Sequence, residues 1–200
     1  MVTRREKEIE AMKELIISTA KEIVAKEGFD KLSIRKIASK IEYSPSIIYH
    51  YFKDKEEILN TIMRSGYMKI VNAVSISDAE NLPPTEKLRK MTKNYINEAL
   101  KMPDEFLAAQ LNQSPQALRH TSYLYTGASK EKPALMTLYK CLKDIYKNVD
   151  EEQIELKAQV IAASTMGIIV KLIIEKNIEE SQKQKLINCF IEEVILKILK

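Results

Sequence analysis

One stretch, residues 33–55, constrains this chain more than any other: SIRKIASKIEYSPSIIYHYFKDK. Ile34, Ile37, Ala38 and Ile41 fall at i, i+3, i+4 and i+7, which puts them on one face of a short helix. Ser44 is placed as the N-cap of a second helix. Pro45 stands at its first position, where a missing N–H costs nothing. The small Ala38 lets the two helices cross closely. The result expected is a helix-turn-helix, the unit that lays a short helix in the major groove.

Charge is distributed in keeping with that expectation. The chain carries a formal net charge of +4. Between residues 31 and 55, Lys31, Arg35, Lys36, Lys40, Lys53 and Lys55 face only Glu42 and Asp54, a surplus equal to that whole net charge. A cationic patch beside a groove-sized helix is the electrostatic footprint of a DNA binder; alone it could equally be a solvated face.

The same residues resemble a known family. Ser33, Ile37-Ala38, Ser44, Tyr49, Tyr51-Phe52 and Lys55-Glu56 are similar in order to the DNA-binding domain of TetR/AcrR-type transcriptional regulators. The resemblance is detailed over residues 12–59 and architectural beyond. It implies an all-α fold: an N-terminal three-helix domain with a helix-turn-helix, and a C-terminal helical domain for ligand binding and dimerisation. Three positions depart from the family's pattern. Glu42 stands where the turn usually has Gly, Ser46 where a small residue such as Gly is common, and Ile47 where Thr is frequent. Glu42 must take the turn without the φ freedom of Gly, or the turn differs in shape.

Chemistry and position assign the DNA contacts. Ser33, at a helix N-cap, can meet a phosphate, and Lys36 another. Arg35 is the strongest base reader, because a guanidinium holds guanine O6 and N7 together. Ser44, Pro45, Ser46 and Ile47 open the recognition helix; Pro45 and Ile47 can touch only thymine methyls or sugar. Tyr49, His50 and Lys55 resemble the family's phosphate clamp. Tyr43 is either core edge or backbone contact.

The remaining chain reads as about nine helices. A first helix over 6–27 carries a stripe of Met12, Leu15, Ile16, Thr19, Ala20, Ile23 and Val24, with Gly28 just past its end. A fourth runs from 54 to 73 or 74, with Asp54 and Glu57 spaced as a near capping box. The clearest break is 75–85. Domains are set at 1–55, DNA binding, and 56–200, effector binding and dimerisation. Helices follow over 86–102, over 104–120 with an interruption at Ser114-Pro115, and over 134–148, after a loop at 123–133. Two final helices, 151–176 and 180–199, are more apolar than one-sided burial requires.

Those last helices suit a four-helix bundle between two copies, with Ala162, Ala163, Gly167, Val170, Phe190, Val194 and Ile195 at the interface; an ordinary intrachain core is the alternative. The family resemblance favours the dimer. Met91, Tyr95, Met102, Phe106, Tyr123, Tyr125, Met136, Tyr139 and Met166 offer adaptable apolar surface with phenolic tips for a small-molecule effector, or serve as plain core.

Other classes find little support. There is no nucleophile–base–acid set, phosphate-binding glycine loop or metal-ligand spacing, so neither enzyme nor cofactor is expected. Cys141 and Cys189 sit in apolar patterns and read as buried, reduced thiols. The charged N-terminus shows no export signal. The longest apolar run, 160–174, is broken by Lys171 and short of the ~20 residues of a membrane span, so the cytoplasm is expected. The expected function is a sequence-specific regulator of transcription acting on a palindromic duplex as a homodimer. Release from the operator by an effector is the expected mode; ligand-independent or activating regulation on the same fold is the alternative.

Overall fold

The computed structural model describes residues 3–75, 82–175 and 177–199. Among them are eleven α-helices and no strand. The expected break at 75–85 lies partly outside the described residues. The chain divides into two compact units, residues 1–67 with 104–121, and 68–103 with 122–200.

The first unit begins with α1 (Arg4–Glu27). Thr3 caps it in a capping box with Glu6. The Glu6 carboxyl is held below its usual pKa by the Thr3 backbone N–H and hydroxyl. Gly28 ends the helix at φ 85°, a backbone state that penalises any Cβ. The inward stripe is Ile16, Thr19, Ala20, Ile23 and Val24. It closes on α2 (Ile34–Lys40) and α3 (Pro45–Tyr51) through Ile37, Ala38 and Ile48, all fully buried. Burying one large aliphatic side chain this way contributes about 1.5–3 kcal/mol relative to leaving it exposed.

Helix α4 (Lys55–Val74) follows. Asp54 Oδ1 accepts the Glu57 N–H at 2.9 Å, and the Glu57 carboxylate accepts the Lys53 N–H at 2.6 Å. This reciprocal pair fixes the helix start. Ile58, Leu59, Ile62 and Met63 lie in the first core, whereas Val74 belongs to the second. The boundary therefore falls beyond the expected residue 55, because α4's first three turns complete the N-terminal core.

The region expected as one interrupted helix is two, α6 (Pro103–Leu111) and α7 (Pro115–Thr121). Asn112 Oδ1 accepts the Ser114 N–H and Ser114 Oγ accepts the Ala117 N–H, so the break is a built cap. Ala108, Ala109 and Ala117 pack in the first core. Phe106, expected in the effector domain, thus sits on an element of the first unit.

The second unit contains α5 (Pro84–Leu100), a one-turn α8 (Ala128–Glu131), α9 (Pro133–Ile145), α10 (Glu151–Ile174) and α11 (Glu180–Phe190). Leu88, Leu142, Ile154, Ala158, Ile161 and Ile195 are at the heart of its core. The segment before α8, expected as a loop, is clasped to α10. Glu155 accepts the N–H groups of Gly127 and Ser129 at 2.9 and 2.8 Å and the Ser129 hydroxyl at 2.7 Å. Gln159 donates to the Tyr125 carbonyl at 2.9 Å.

Helix α11 stops earlier than expected. A π-turn over 191–195 follows, closed by the Leu196 N–H to the Ile191 carbonyl at 3.0 Å, then a 3₁₀ turn over 197–199. The tail is tied down at the Ile198 carbonyl, which accepts from Tyr146 Oη and Lys157 Nζ, each at 3.0 Å. Arg89 bridges Glu86 and Glu192.

Helix α10 is long and apolar enough to cross a membrane by length and composition, more than the broken run at 160–174 suggested. Its Ile154, Ala158, Ile161, Thr165, Ile169, Leu172 and Ile173 are buried within the protein. Both cysteines are free. Cys141 is buried, donates to the Pro84 carbonyl at 3.3 Å, and is pushed up to about 11 by burial and by Asp144, against Lys87. Cys189 is exposed, against expectation. The inward stripe of the last helical segment is Ile187, Ile191 and Ile195, and position 189 lies about 200° round from 187.

Candidate nucleic-acid interface

The turn between α2 and α3 determines what the first unit presents. The Tyr43 N–H bonds the Ala38 carbonyl at 3.0 Å and the Glu42 N–H the Ser39 carbonyl at 3.4 Å. That is a Schellman ending, with Glu42 in the position normally held by Gly. Glu42 adopts φ 61°, the only non-glycine among the described residues with positive φ. Glu42 therefore takes the left-handed turn position itself, at the expense of backbone strain.

Helix α2 is capped as expected. Ser33 Oγ accepts the Lys36 N–H at 3.2 Å. Ser44 stands at the N-cap of α3, but its hydroxyl bonds Ser46 Oγ at 2.7 Å rather than the backbone. Ser33, Arg35, Ser44, Pro45, Ser46, Tyr49 and His50 are exposed, and Lys36, Ile47 and Lys55 are half-buried. Tyr49 is 57% exposed and Tyr43 46%, which removes Tyr43 from the core edge.

The cations divide into two sets. Lys36 is ion-paired with Glu27, and Lys40 with Glu22 at 2.7 Å. Arg35 and Lys55 have no hydrogen bond or ion pair among the described residues. Lys31 and Lys53 are exposed. The α1 carboxylates were missed from sequence, since only the helix crossing brings positions 22 and 27 to α2. Glu22 is held below the usual carboxylate pKa chiefly by its hydrogen bond and charge contact with Lys40.

Most of the residues expected for an effector gather at the second core. Met91, Tyr95, Tyr123, Tyr125 and Tyr139 belong to or border the second core. Met102 is buried, and Met136 and Met166 are half-buried. Tyr125 Oη donates to Glu131 at 2.7 Å, and Tyr123 Oη reaches Met166 Sδ at 4.0 Å. Burial raises the Tyr123 pKa.

The residues expected at a dimer interface also divide. Gly167 and Val194 are exposed; Ala162, Ala163, Val170 and Phe190 are half-buried. Ile195 is 0% exposed and lies in the intrachain core, so it is not an interface residue in this fold. Leu156, Val160 and Ile174 are exposed, and join Ala163, Gly167 and Val170 in steps of four and three along one face of α10. That spacing is the one a coiled-coil seam uses.

A three-helix core displaying a capped, cation-flanked pair of short helices defines the helix-turn-helix class of DNA-binding fold. The family model described as bacterial regulatory proteins, tetR family, matches residues 16–62. Residues 16–62 are thus similar to the DNA-binding domain of the TetR family of transcriptional regulators, and the all-α fold agrees with that likeness. It is 24% identical over 184 residues to the HTH-type transcriptional regulator YuxN of Bacillus subtilis, covering 90% of this chain and 62% of that one. It is 30% identical over 82 residues to the fatty acid metabolism regulator protein of Bacillus subtilis, covering 41% of this chain and 42% of that one. The chain thus spans less than two thirds of the length of these curated relatives. Among solved structures it is similar to the regulator FadR from Bacillus subtilis in complex with stearoyl-CoA. That likeness has a TM-score of 0.70 and 17% identity over 93% of this chain and 97% of that one.

Proposed function

We propose that this protein is a sequence-specific regulator of transcription. It binds a palindromic operator as a homodimer and is released by a small apolar effector bound in the second unit. The observation that carries the reading is the combination of an unpartnered Arg35 side chain with the exposed face of α3 beyond a Schellman-closed turn. Arg35 reads a base. Ser33, Tyr43, Tyr49, His50 and Lys55 hold the sugar-phosphate backbone, and Lys36 joins them when a phosphate displaces Glu27.

One such helix reads few base pairs. Two copies joined along the α10 face and the exposed Leu186 and Val194 of the C-terminal segment present two heads, with half-sites ~34 Å apart or a related distance. The effector acts by preferring a dimer state whose heads no longer match successive major grooves, and its leverage is its differential affinity for the two states. The Met and Tyr content of the second unit supports an apolar ligand. A long-chain acyl thioester is the first to try, given what the similar Bacillus subtilis structure holds.

The test is selection of bound fragments from random duplex DNA. A palindromic consensus supports the reading; no enrichment at modest salt overturns it. On the recovered site, Arg35→Ala relaxes sequence preference, whereas Lys55→Ala weakens all duplexes alike and lowers the salt slope by about 1. Equal losses on specific and random DNA for both variants would contradict these roles. Stearoyl-CoA that neither shifts melting temperature nor releases the operator excludes that effector class.

A further inference from the structure

The seven residues of α3 are Pro45, Ser46, Ile47, Ile48, Tyr49, His50 and Tyr51. None carries a guanidinium, ammonium, carboxamide or carboxylate. Those are the groups that read a base by paired hydrogen bonds: Arg or Lys on guanine, Asn or Gln on adenine, Asp or Glu on cytosine. Ile48 is fully buried in the core. Tyr49 and His50 follow Pro45 and Ser46 one turn along the same exposed face. What the start of this helix can press against a base edge is the Pro45 ring, the exposed part of Ile47 and one hydroxyl, Ser46. That hydroxyl already shares a 2.7 Å hydrogen bond with Ser44. In the major groove only thymine offers an apolar group, its 5-methyl.

We propose that α3 selects its site by thymine 5-methyl groups, read by Pro45 and Ile47, and that reading of purine hydrogen-bonding edges falls to Arg35 on α2. This inference rests on the regulatory reading above and makes the two helices complementary in chemistry. One senses methyl positions by contact, and the other senses guanine by paired donors. The half-site it describes has thymines under α3 and a guanine within reach of α2.

Two random duplex libraries test it with the full-length protein, one built with thymidine and one with deoxyuridine throughout. Deoxyuridine keeps the pairing and removes only the methyl. The thymidine library should yield a thymine-bearing consensus, and the deoxyuridine library a weaker or different one. On the recovered duplex, single dT-to-dU replacements at contacted positions should lower affinity about fourfold per methyl, and replacements outside the site should leave it unchanged. Pro45→Ala, at an exposed position, should bring the dT/dU affinity ratio at its base pair towards one. Ile47→Val, which retains a β-branched side chain in its half-buried place, should shrink it at a neighbouring pair. The same consensus with equal affinity from both libraries overturns the inference while leaving the regulatory reading intact. Enrichment from neither library overturns both.

Discussion

Lys40 on α2 lies 2.7 Å from the Glu22 carboxylate on α1, and Lys36 is paired in the same way with Glu27. Two of the cations in the basic segment are therefore bound by the protein's own scaffold. A phosphate that engages either must displace a carboxylate. Replacing Glu22 and Glu27 by Gln should tighten binding to random duplex severalfold at low salt and steepen the salt dependence, while the preference between specific and random sites narrows. Fluorescence anisotropy across a salt series measures both. Unchanged random-DNA affinity would show that Lys36 and Lys40 do not meet phosphate.

Glu42 is held at φ 61° by the Schellman turn. A left-handed L-residue costs about 1–2 kcal/mol, and glycine recovers part of that while adding flexibility to the unfolded chain. Glu42→Gly should raise stability by about 0.5–1 kcal/mol in urea denaturation. Loss of stability would mean that the Glu42 side chain makes a contribution outweighing its backbone strain.

Glu155 is the clasp of the segment before α8. Burial pushes its pKa up, but the Gly127 and Ser129 N–H groups, the Ser129 hydroxyl and Lys130 outweigh burial and leave it depressed. A depressed folded-state pKa means stability that is present above the unfolded value, ~4.3, and lost as pH falls through the folded value. Glu155→Gln should cost about 1–3 kcal/mol at pH 7. The gap between wild type and variant should close as pH falls below about 4. Chemical denaturation at several pH values tests this; a gap independent of pH would remove the charge from the explanation.

The two ends of the dimer hypothesis separate cleanly. Val160 is 53% exposed in the middle of the α10 seam, whereas Ile195 is enclosed within one chain. Val160→Glu should give folded monomers in sedimentation, with circular dichroism unchanged and operator affinity greatly reduced. Ile195→Glu should instead unfold the second unit, because it places a charge in a closed core. Intact Val160→Glu dimers would count against the seam.

What could be read from sequence was local. Ser33, Pro45 and Gly28 state helix ends through rules that act within four residues, and the structure places those ends as expected. Ile37, Ala38 and Ile48 follow from periodicity alone. The misplacements were non-local. The ion pairs of Lys36 and Lys40 depend on a helix crossing, the assignment of α6 and α7 to the first core on long-range packing, and Ile195 on an inward stripe continued through a π-turn. For the effector residues, apolar character was legible but purpose was not: a Met or Tyr in a core and one in a pocket have the same composition.

Because α3 bears no lysine, arginine or carboxylate, changing its letters leaves the molecule's long-range attraction to duplex DNA nearly untouched. Long-range attraction to the duplex and the part of recognition that falls to α3 are then governed by different amino acids. A lineage of such proteins could acquire new addresses by point substitution on one short helix without slowing its search.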